Sequence, residues 1–201
     1  DDFTNLPLLE DYSKTKLPLI VSCGMSDLSE VHEALETIGT FNGYPTILLL
    51  CTSQYPTPAE DVNLLKLKTL ANTFPDLTLG FSDHTKGSLA SSTAVGFGAV
   101  FFEKHFTLDN NLEGPDHWFS ENPESLKDWV DAIHQSYLMM GSPEVQPTLN
   151  ELEMRKLARR TIVILKDIKK GDILTEDNIG LRRAGDGLKP SLMKQMLDSL
   201  A

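Results

Sequence analysis

The sequence predicts an α/β protein of repeated strand–helix units, and three observations support this fold class. Short apolar runs alternate with longer segments in which apolar residues recur at helical spacing. Successive units begin about 30 residues apart, as expected for parallel strands joined by right-handed crossover helices. The segment 86–98 lies between the apolar runs 77–81 and 99–102 and is rich in Gly, Ala and Ser. That composition is typical of a helix that lies close to a sheet.

The first two units are predicted from strand residues and helix caps. Leu19–Ser22 is a short apolar strand, and Asp27 with Glu30 forms a capping box that begins the next helix. Gly39 ends that helix. Residues 46–50 form the second strand, which is continuously apolar because a strand of a parallel sheet is buried on both faces.

Two further helices complete the repeat. The first is predicted to start with Thr57 as N-cap, Pro58 at the first position and Glu60 in a capping box, and to run to Pro75. Its predicted inward-facing residues are Val62, Leu65, Leu70 and Phe74. The second begins at Asn122. Its predicted buried residues are Leu126, Trp129, Val130, Ile133 and Tyr137. Four units amount to half of an eight-stranded barrel or to most of a small open sheet.

Charge divides the chain into two parts. Residues 1–150 contain 7 Lys and Arg against 21 Asp and Glu, whereas residues 151–201 contain 11 against 8. We therefore predict a first domain over 1–141, a linker over 142–160 and a small β-rich domain over 161–201. The acidic character of the larger part argues against nucleic acid as its partner.

The compartment is predicted from what the chain contains. No apolar run is long enough to span a bilayer, so no membrane partner is expected. We also expect no signal peptide. Cys23 and Cys51 each lie close to a predicted strand end and do not form a disulfide framework. Two such thiols are typical of a reducing compartment, and a cytoplasmic protein is expected.

Two histidines follow apolar runs at matching positions, His84 after 77–81 and His105 after 99–102. If these runs are neighbouring parallel strands, both side chains lie at the carboxyl edge of the sheet, where α/β folds bind ligands. Two imidazoles there can share a divalent metal ion. The simpler alternative is a pair of hydrogen-bonded histidines at strand ends. Asp83 and Glu103 flank them, either as hydrogen-bonding partners of the ligands or as plain surface carboxylates.

Serines end three of the predicted strands, namely Ser22, Ser53 and Ser82. Hydroxyl groups and nearby backbone N–H groups on one rim can hold phosphate oxygens. Tyr55, which precedes a proline, is either a ligand contact or a packing residue. Asp116 lies in a Gly-Pro-Asp-His turn, where its carboxylate either holds substrate hydroxyls or simply supports the turn.

Several strings of the chain are similar to motifs of one enzyme family. The strings are Val21-Ser22-Cys23-Gly24-Met25, Cys51-Thr52-Ser53-Gln54-Tyr55-Pro56, Glu60-Asp61-Val62-Asn63-Leu64, Ser82-Asp83-His84-Thr85, Glu103-Lys104-His105-Phe106-Thr107 and Gly114-Pro115-Asp116-His117. In content and order they resemble the sialic acid synthase family, which includes N-acetylneuraminate synthase and its legionaminate, pseudaminate and spore-coat relatives. Residues 167–172 and 182–187 resemble the antifreeze-like (SAF) domain that this family carries at its C-terminus.

The resemblance implies the C-terminal half of a (β/α)8 TIM barrel followed by the start of a SAF domain. It implies a transferase that condenses phosphoenolpyruvate with N-acetylmannosamine or a related N-acyl amino sugar. C3 of phosphoenolpyruvate attacks the aldehyde carbon, water adds at C2, and phosphate leaves with C–O cleavage. A divalent ion, Mn or Mg, acts as Lewis acid on the aldehyde oxygen. The Gly-Pro-Asp-His string favours the neuraminate, legionaminate or spore-coat branches over pseudaminate.

The resemblance also implies roles for individual residues. His84 and His105 correspond to the catalytic metal ligands, and Asp116 to a catalytic contact with a sugar hydroxyl. The implied phosphoenolpyruvate contacts are Ser22, Ser53 and Ser82, with Tyr55 in the same loop as Ser53. Arg183 corresponds to an arginine that extends from the small domain of one subunit into the barrel of the other. A domain-swapped homodimer is therefore expected.

Departures from the family pattern are mild except for one. Cys23 stands where Thr is frequent, Ser53 where some members have Asn, and Ala184 where Pro is usual. The first half-barrel, which carries the family's catalytic glutamate and phosphate-binding lysines, is missing. We therefore expect a fragment that is inactive alone. Two other interpretations stay open: a metal-dependent barrel hydrolase, which needs a further carboxylate ligand, and a non-catalytic carbohydrate-binding protein.

Overall fold

A four-stranded parallel sheet organises the first of two compact units, which are separated in sequence between Ser142 and Pro143. The computed structural model describes residues 2–185 and 187–201. The strands are β1 (Leu19–Ser22), β2 (Thr46–Cys51), β3 (Thr78–Asp83) and β4 (Phe101–Lys104). They pair in the order in which they occur along the chain, and every pair is parallel. The predicted repeat of strand and crossover helix is confirmed.

Helices connect these strands. They are α1 (Leu6–Ser13), α2 (Leu28–Ile38), α3 (Ala59–Val62), α4 (Leu65–Thr73), α5 (Leu89–Val95) and α6 (Pro123–Met140), with a 3-10 turn at Thr40–Asn42. The predicted start and end of α2 are confirmed, because Asp27 and Glu30 form both bonds of a capping box and Gly39 ends the helix at φ 88°. Asn122 caps α6 as predicted.

The core lies between the helices and one face of the sheet. Its fully buried members include Leu48, Leu50, Leu79 and Phe81 from the strands and Leu35, Leu67 and Leu70 from the helices. Side chains alternate along a strand, so the opposite face carries the neighbouring positions. There Leu49, Gly80 and Phe101 lie in register on β2, β3 and β4. Further along the same strands, this second face carries the candidate site.

The helix predicted from Thr57 onward is interrupted. Asn63 adopts φ 49°, which ends α3 before α4 begins. The N-cap position is held by Pro58, while the Thr57 hydroxyl donates to the Gln54 carbonyl at 2.8 Å. Because the break changes the helical phase, Leu65 is 68% exposed and its predicted inward orientation is wrong.

Other differences lie at element ends. In α6, Trp129 is buried as predicted, whereas Tyr137 is exposed and that prediction is wrong. Cys51 belongs to β2 rather than to the following loop, and β4 starts two residues later than predicted. The helix α1 was not predicted, since its N-cap Asn5 makes no side-chain cap bond.

The second unit, Pro143–Ala201, is small. It contains α7 (Leu149–Ala158), β5 (Thr161–Ile164), β6 (Ile179–Arg182), a 3-10 turn (Pro190–Leu192) and α8 (Met193–Met196). The two strands are antiparallel, and Ile162, Leu174 and Ile179 form its core. The helix α8 ends at Met196 because Leu197 is extended. The predicted division at 141 and 160 stays a prediction. Within the described residues, no helix combines the length and apolarity that crossing a membrane would need.

Candidate active site

The carboxyl ends of β3 and β4 place two histidines side by side. The register pairs Ser82 with Glu103 and the following residue of each strand with its neighbour, so His84 and His105 follow at equivalent positions. The centroids of their imidazole rings are 5.1 Å apart, and the ring planes are nearly perpendicular. The structure thus brings together the two residues from which the sequence predicts a metal site.

His84 is buried and held in one orientation. Its Nδ1 lies 2.8 Å from the carbonyl oxygen of Thr52, and its own carbonyl accepts from the N–H of Thr57 at 2.9 Å. A carbonyl can only accept, so Nδ1 carries the proton and Nε2 is left as an acceptor. Burial lowers the pKa of His84, and the neighbouring His105 acts in the same direction. A neutral imidazole with a free Nε2 is the form that binds a metal ion.

His105 is more accessible and lies against the following loop. Its Nδ1 is 3.7 Å from a carboxylate oxygen of Asp116. Phe119 lies against the other side, with ring centroids 5.2 Å apart. The pairing of imidazole and carboxylate brings a third predicted site residue to the same place.

Tyr55 completes the wall of this site. Its ring centroid lies 4.3 Å from that of His84 and 5.4 Å from that of His105. It is 45% exposed, and so its phenol group is accessible to a ligand. Tyr55 therefore contacts both histidines, as a residue with a role in the site would.

The three serines lie at different places. Ser82 is buried on β3, and its hydroxyl donates to Glu103 at 2.7 Å. Ser22 pairs in register with Leu49 and is half-buried. Ser53 lies against the end of β1, because a Cβ at Gly24 would be 2.3 Å from its hydroxyl oxygen. Ser82 is thus the serine that belongs to the β3–β4 pair with the histidines.

The loop after β4 holds Asp116 in place. The side-chain amide of Asn110 donates to the carbonyls of His117 and Ser120, each at 2.8 Å. The hydroxyl of Ser120 donates to the Asp116 carbonyl at 2.7 Å. In addition, Nδ1 of His117 lies 2.7 Å from the hydroxyl of Thr107.

A buried group of charges beside the site was missed by sequence reasoning. Lys104 lies 3.1 Å from Asp83 and 3.7 Å from Glu121, and all three side chains are nearly inaccessible. The sequence contained a signal for it. If the even-numbered positions of β3 face the site, then Asp83 must face the helices, where a charge requires a partner.

Arg183 lies apart from these residues in sequence. It follows β6 in the second unit, is exposed, and is succeeded by Gly185 at φ 79°. Asp186, the next residue of the string that resembles the SAF domain, lies outside the described residues.

The chemistry of the site fits a divalent ion in part. His84 and His105 supply two nitrogen donors, and imidazole is a frequent ligand of Zn, Cu, Fe and Ni ions, whereas Mn and Mg also require oxygen ligands. Among residues 2–185 and 187–201, no group of three or more His, Cys, Asp and Glu side chains is arranged to hold a metal. The remaining ligands of such an ion would therefore be oxygen atoms of water or substrate, or groups outside the described residues.

The geometry defines a parallel α/β half-barrel with paired histidines at the carboxyl ends of two strands. The sequence profile of the NeuB family matches residues 1–145. The chain is 43% identical to N,N'-diacetyllegionaminic acid synthase of Legionella pneumophila and 38% identical to pseudaminic acid synthase of Helicobacter pylori. These alignments cover 98% and 100% of the chain.

A solved structure is similar as well. The crystal structure of spore coat polysaccharide biosynthesis protein SpsE from Bacillus subtilis aligns with a TM-score of 0.66 and 35% identity over 97% of the chain. The chain spans 56% and 58% of the length of the two synthases and 59% of the SpsE chain. The protein belongs to the NeuB family.

Proposed function

We propose that the protein containing this chain is a nonulosonic acid synthase, which condenses phosphoenolpyruvate with an N-acyl amino-sugar aldehyde and releases phosphate. The observation that carries the proposal is the meeting of His84, His105, Tyr55 and Asp116 at one edge of the sheet in a chain of this family. Both synthases named above are named for products of this class, N,N'-diacetyllegionaminic acid and pseudaminic acid.

Each residue has a task in this reaction. Nε2 of His84 and the imidazole of His105 would hold a Mn or Mg ion, which when bound supplies Lewis-acid polarisation of the aldehyde oxygen. Asp116 binds a hydroxyl group of the sugar, and Tyr55, whose ring lies against both imidazoles, contacts the bound substrate. Ser22, Ser53 and Ser82 bind phosphoenolpyruvate, whose C3 attacks the aldehyde carbon while water adds at C2.

The test uses the full-length protein with Mn or Mg, phosphoenolpyruvate and a panel of mono- and di-N-acyl amino sugars. We expect phosphate release, and phosphate from substrate labelled with 18O at the bridging oxygen should retain the label because the C–O bond breaks. Chelation should abolish turnover, as should His84→Gln. The control His134→Gln changes an exposed histidine on α6 and should be fully active. Absence of phosphate release with every sugar would refute the proposal.

The same panel identifies the acceptor. The Gly-Pro-Asp-His string favours a neuraminate, legionaminate or spore-coat type of substrate, whereas the relatives include both a legionaminic and a pseudaminic acid synthase. The sugar with the highest kcat/KM assigns the product. A preference for the pseudaminate precursor would contradict the motif.

The second unit is proposed to be the start of a SAF domain whose Arg183 contacts the sugar in the barrel of a partner subunit. Support comes from the strings at 167–172 and 182–187, the exposure of Arg183 and the opposite net charges of the two parts. Arginine suits this task because its planar fork stays charged and binds carbonyl or carboxylate oxygens.

Mixing an impaired variant with an inactive one tests the swapped dimer. Arg183→Ala should weaken sugar use by about 1–3 kcal/mol and leave phosphoenolpyruvate binding nearly unchanged. When Arg183→Ala and His84→Ala proteins exchange subunits, some dimers pair an intact barrel with an intact arginine. Activity should then recover partly. No recovery under conditions of proven exchange would exclude the swapped arrangement.

A further inference from the structure

Three charged side chains lie buried behind the two histidines. The exposed fractions of the Asp83, Lys104 and Glu121 side chains are 0%, 2% and 8%. Their carboxylates and ammonium group form two ion pairs that share Lys104. Asp83 and Lys104 directly precede His84 and His105 in sequence and lie opposite each other in the register of β3 and β4.

The ion pair of Asp83 and Lys104 holds the backbone next to His84 through hydrogen bonds to Thr85. One oxygen of Asp83 accepts from the N–H and from the hydroxyl of Thr85, both at 2.8 Å. The ammonium group of Lys104 donates to the carbonyl of Thr85 at 2.6 Å. The chain therefore turns at His84 with both of its neighbours tied to the same ion pair.

The same group fixes the chain at His105. Glu121 donates its N–H to the carbonyl of His105 and accepts from the N–H of Thr107, both at 2.9 Å. Its carboxylate pairs with Lys104 and accepts from the N–H of Gly87 at 3.3 Å. Two histidine segments, 21 positions apart, are thus connected through one ammonium group.

Further hydrogen bonds satisfy the remaining oxygen of Asp83. The second oxygen of Asp83 accepts from the Ser91 hydroxyl at 2.5 Å, and the indole N–H of Trp129 donates to Ser91 at 3.0 Å. Buried ion pairs can often be replaced by apolar side chains without loss of stability. Stability alone is therefore a weak reason for burying three charges here. A more specific reason is that their side chains bond the backbone of Thr85 and Gly87, directly after His84.

We propose that Lys104 and Asp83 are positioning residues, whose ion pair sets the separation and orientation of the His84 and His105 imidazoles. The expected change in kcat rests on the proposed function, whereas the expected change in the arrangement of the two imidazoles does not. Groups bonded directly to metal-binding histidines typically cost about 10–100-fold in activity or metal affinity when removed. Here the support acts through the backbone of Thr85 and of His105, and an effect of the same order is expected.

The experiment compares three variants of the full-length protein. Lys104→Met removes the shared cation, and the triple variant Asp83→Asn, Lys104→Met, Glu121→Gln removes all three charges together. Lys127→Met is the matched control, because Lys127 pairs with Asp131 on the exposed side of α6. Both network variants should lower kcat by about 10–100-fold with less than about a threefold change in the KM of phosphoenolpyruvate. The control should match the wild type.

A second readout requires neither metal nor turnover. In the metal-free, histidine-labelled protein, the NOE between the ring protons of His84 and His105 should be present in the wild type and in Lys127→Met. It should be lost in both network variants at unchanged near-UV circular dichroism. If Lys104→Met does not fold, the neutral triple variant decides, and Ser91→Ala, which removes one hydrogen bond to Asp83, should weaken the NOE partly.

The outcomes separate this inference from the proposed function. An inactive wild type that has the NOE refutes the proposed function only. Folded network variants that keep both wild-type kcat and the NOE refute the positioning role. The same conclusion follows if the neutral triple variant has wild-type kcat, because the charges would then serve stability alone.

Discussion

At Gly80 the absence of a side chain lets β2, β3 and β4 approach closely on the face that carries the site. A Cβ there would lie 2.4 Å from the backbone oxygen of Phe101 and 2.4 Å from a methyl carbon of Leu49. Backbone cannot move aside as the end of a side chain can. This one position therefore constrains how the strands beneath the histidines are arranged.

Gly80→Ala should destabilise the full-length protein by about 1–3 kcal/mol, because the added methyl group overlaps backbone atoms. Denaturation in urea measures this as a lower midpoint. Gly96→Ala is the matched control, since its Cβ would have no neighbour nearer than 3.4 Å. That change should alter stability by no more than about 1 kcal/mol. Equal midpoints for the two variants would contradict the argument.

The buried thiol of Cys23 makes the stability of the protein depend on pH. Burial raises the pKa of its thiol to about 11 from an ordinary value of 9.0. The folded state keeps the thiol neutral where the unfolded state would ionise it. This contribution to stability is complete below pH 9 and is lost as the pH rises from 9 towards 11.

Between pH 9 and 11, the unfolding free energy of the wild type should therefore fall more than that of Cys23→Ala, by about 2–3 kcal/mol. Urea denaturation at several pH values measures both curves. Other alkaline titrations cancel in the difference. Parallel curves would show that Cys23 ionises alike in both states.

Among the elements, the loop between β4 and α6 has the clearest link between local structure and the site. The side-chain amide of Asn110 donates to two carbonyls of this loop, those of His117 and Ser120. Its oxygen accepts from the side chain of Asn122 at 3.1 Å, which connects the loop to the N-cap of α6. Asp116 is carried on this loop.

Asn110→Ala should raise the KM of the sugar about 3- to 10-fold, because Asp116 loses its support, and leave the KM of phosphoenolpyruvate nearly unchanged. Steady-state kinetics with each substrate varied in turn measure the difference. Asn111→Ala is the control, since its side chain donates to Asp109 within its own turn. A rise in both KM values would indicate a general disturbance instead.

Elements with strong local signals could be predicted from the sequence. The capping box of α2 and the N-cap of α6 are local, and the apolar runs locate all four parallel strands. The break at Asn63 could not be predicted, because the helical spacing of the apolar residues around it does not reveal the φ of 49° that this residue adopts.

At the site, matched strand ends predicted that the histidines would meet, since register places neighbouring strand ends together. The Glu121 contribution could not be predicted. Glu121 lies 17 positions after Lys104 and is brought to it by an isolated β-bridge with Phe106. No local sequence pattern predicts that bridge. Contacts of this kind depend on how the loop returns to the sheet.

For the molecule as a whole, the sheet has two ends. Among the described strands, β1 and β4 each pair with one neighbour, so that backbone groups on their outer sides are available to another strand. On β1, Ile20 is 49% exposed. Such edges and apolar positions favour association.

A protein consisting of residues 1–201 alone should therefore self-associate and should not turn over phosphoenolpyruvate. Sedimentation velocity measures the association, and phosphate release measures activity. A polypeptide extended to the length of the relatives is the comparison and should sediment as a defined species with activity. A monomeric and active 201-residue protein would overturn this expectation.

The shared ammonium group of Lys104 also constrains how this sequence can change over time. A lineage that lost Lys104 alone would keep two buried carboxylates without their cation and would lose much stability. A lineage that first neutralised Asp83 would keep the pair of Lys104 and Glu121 and would lose less stability. Homologous chains should therefore show correlated substitutions at positions 83, 104 and 121, with the order of replacement constrained. The neighbouring exposed pair of Lys127 and Asp131 should drift independently.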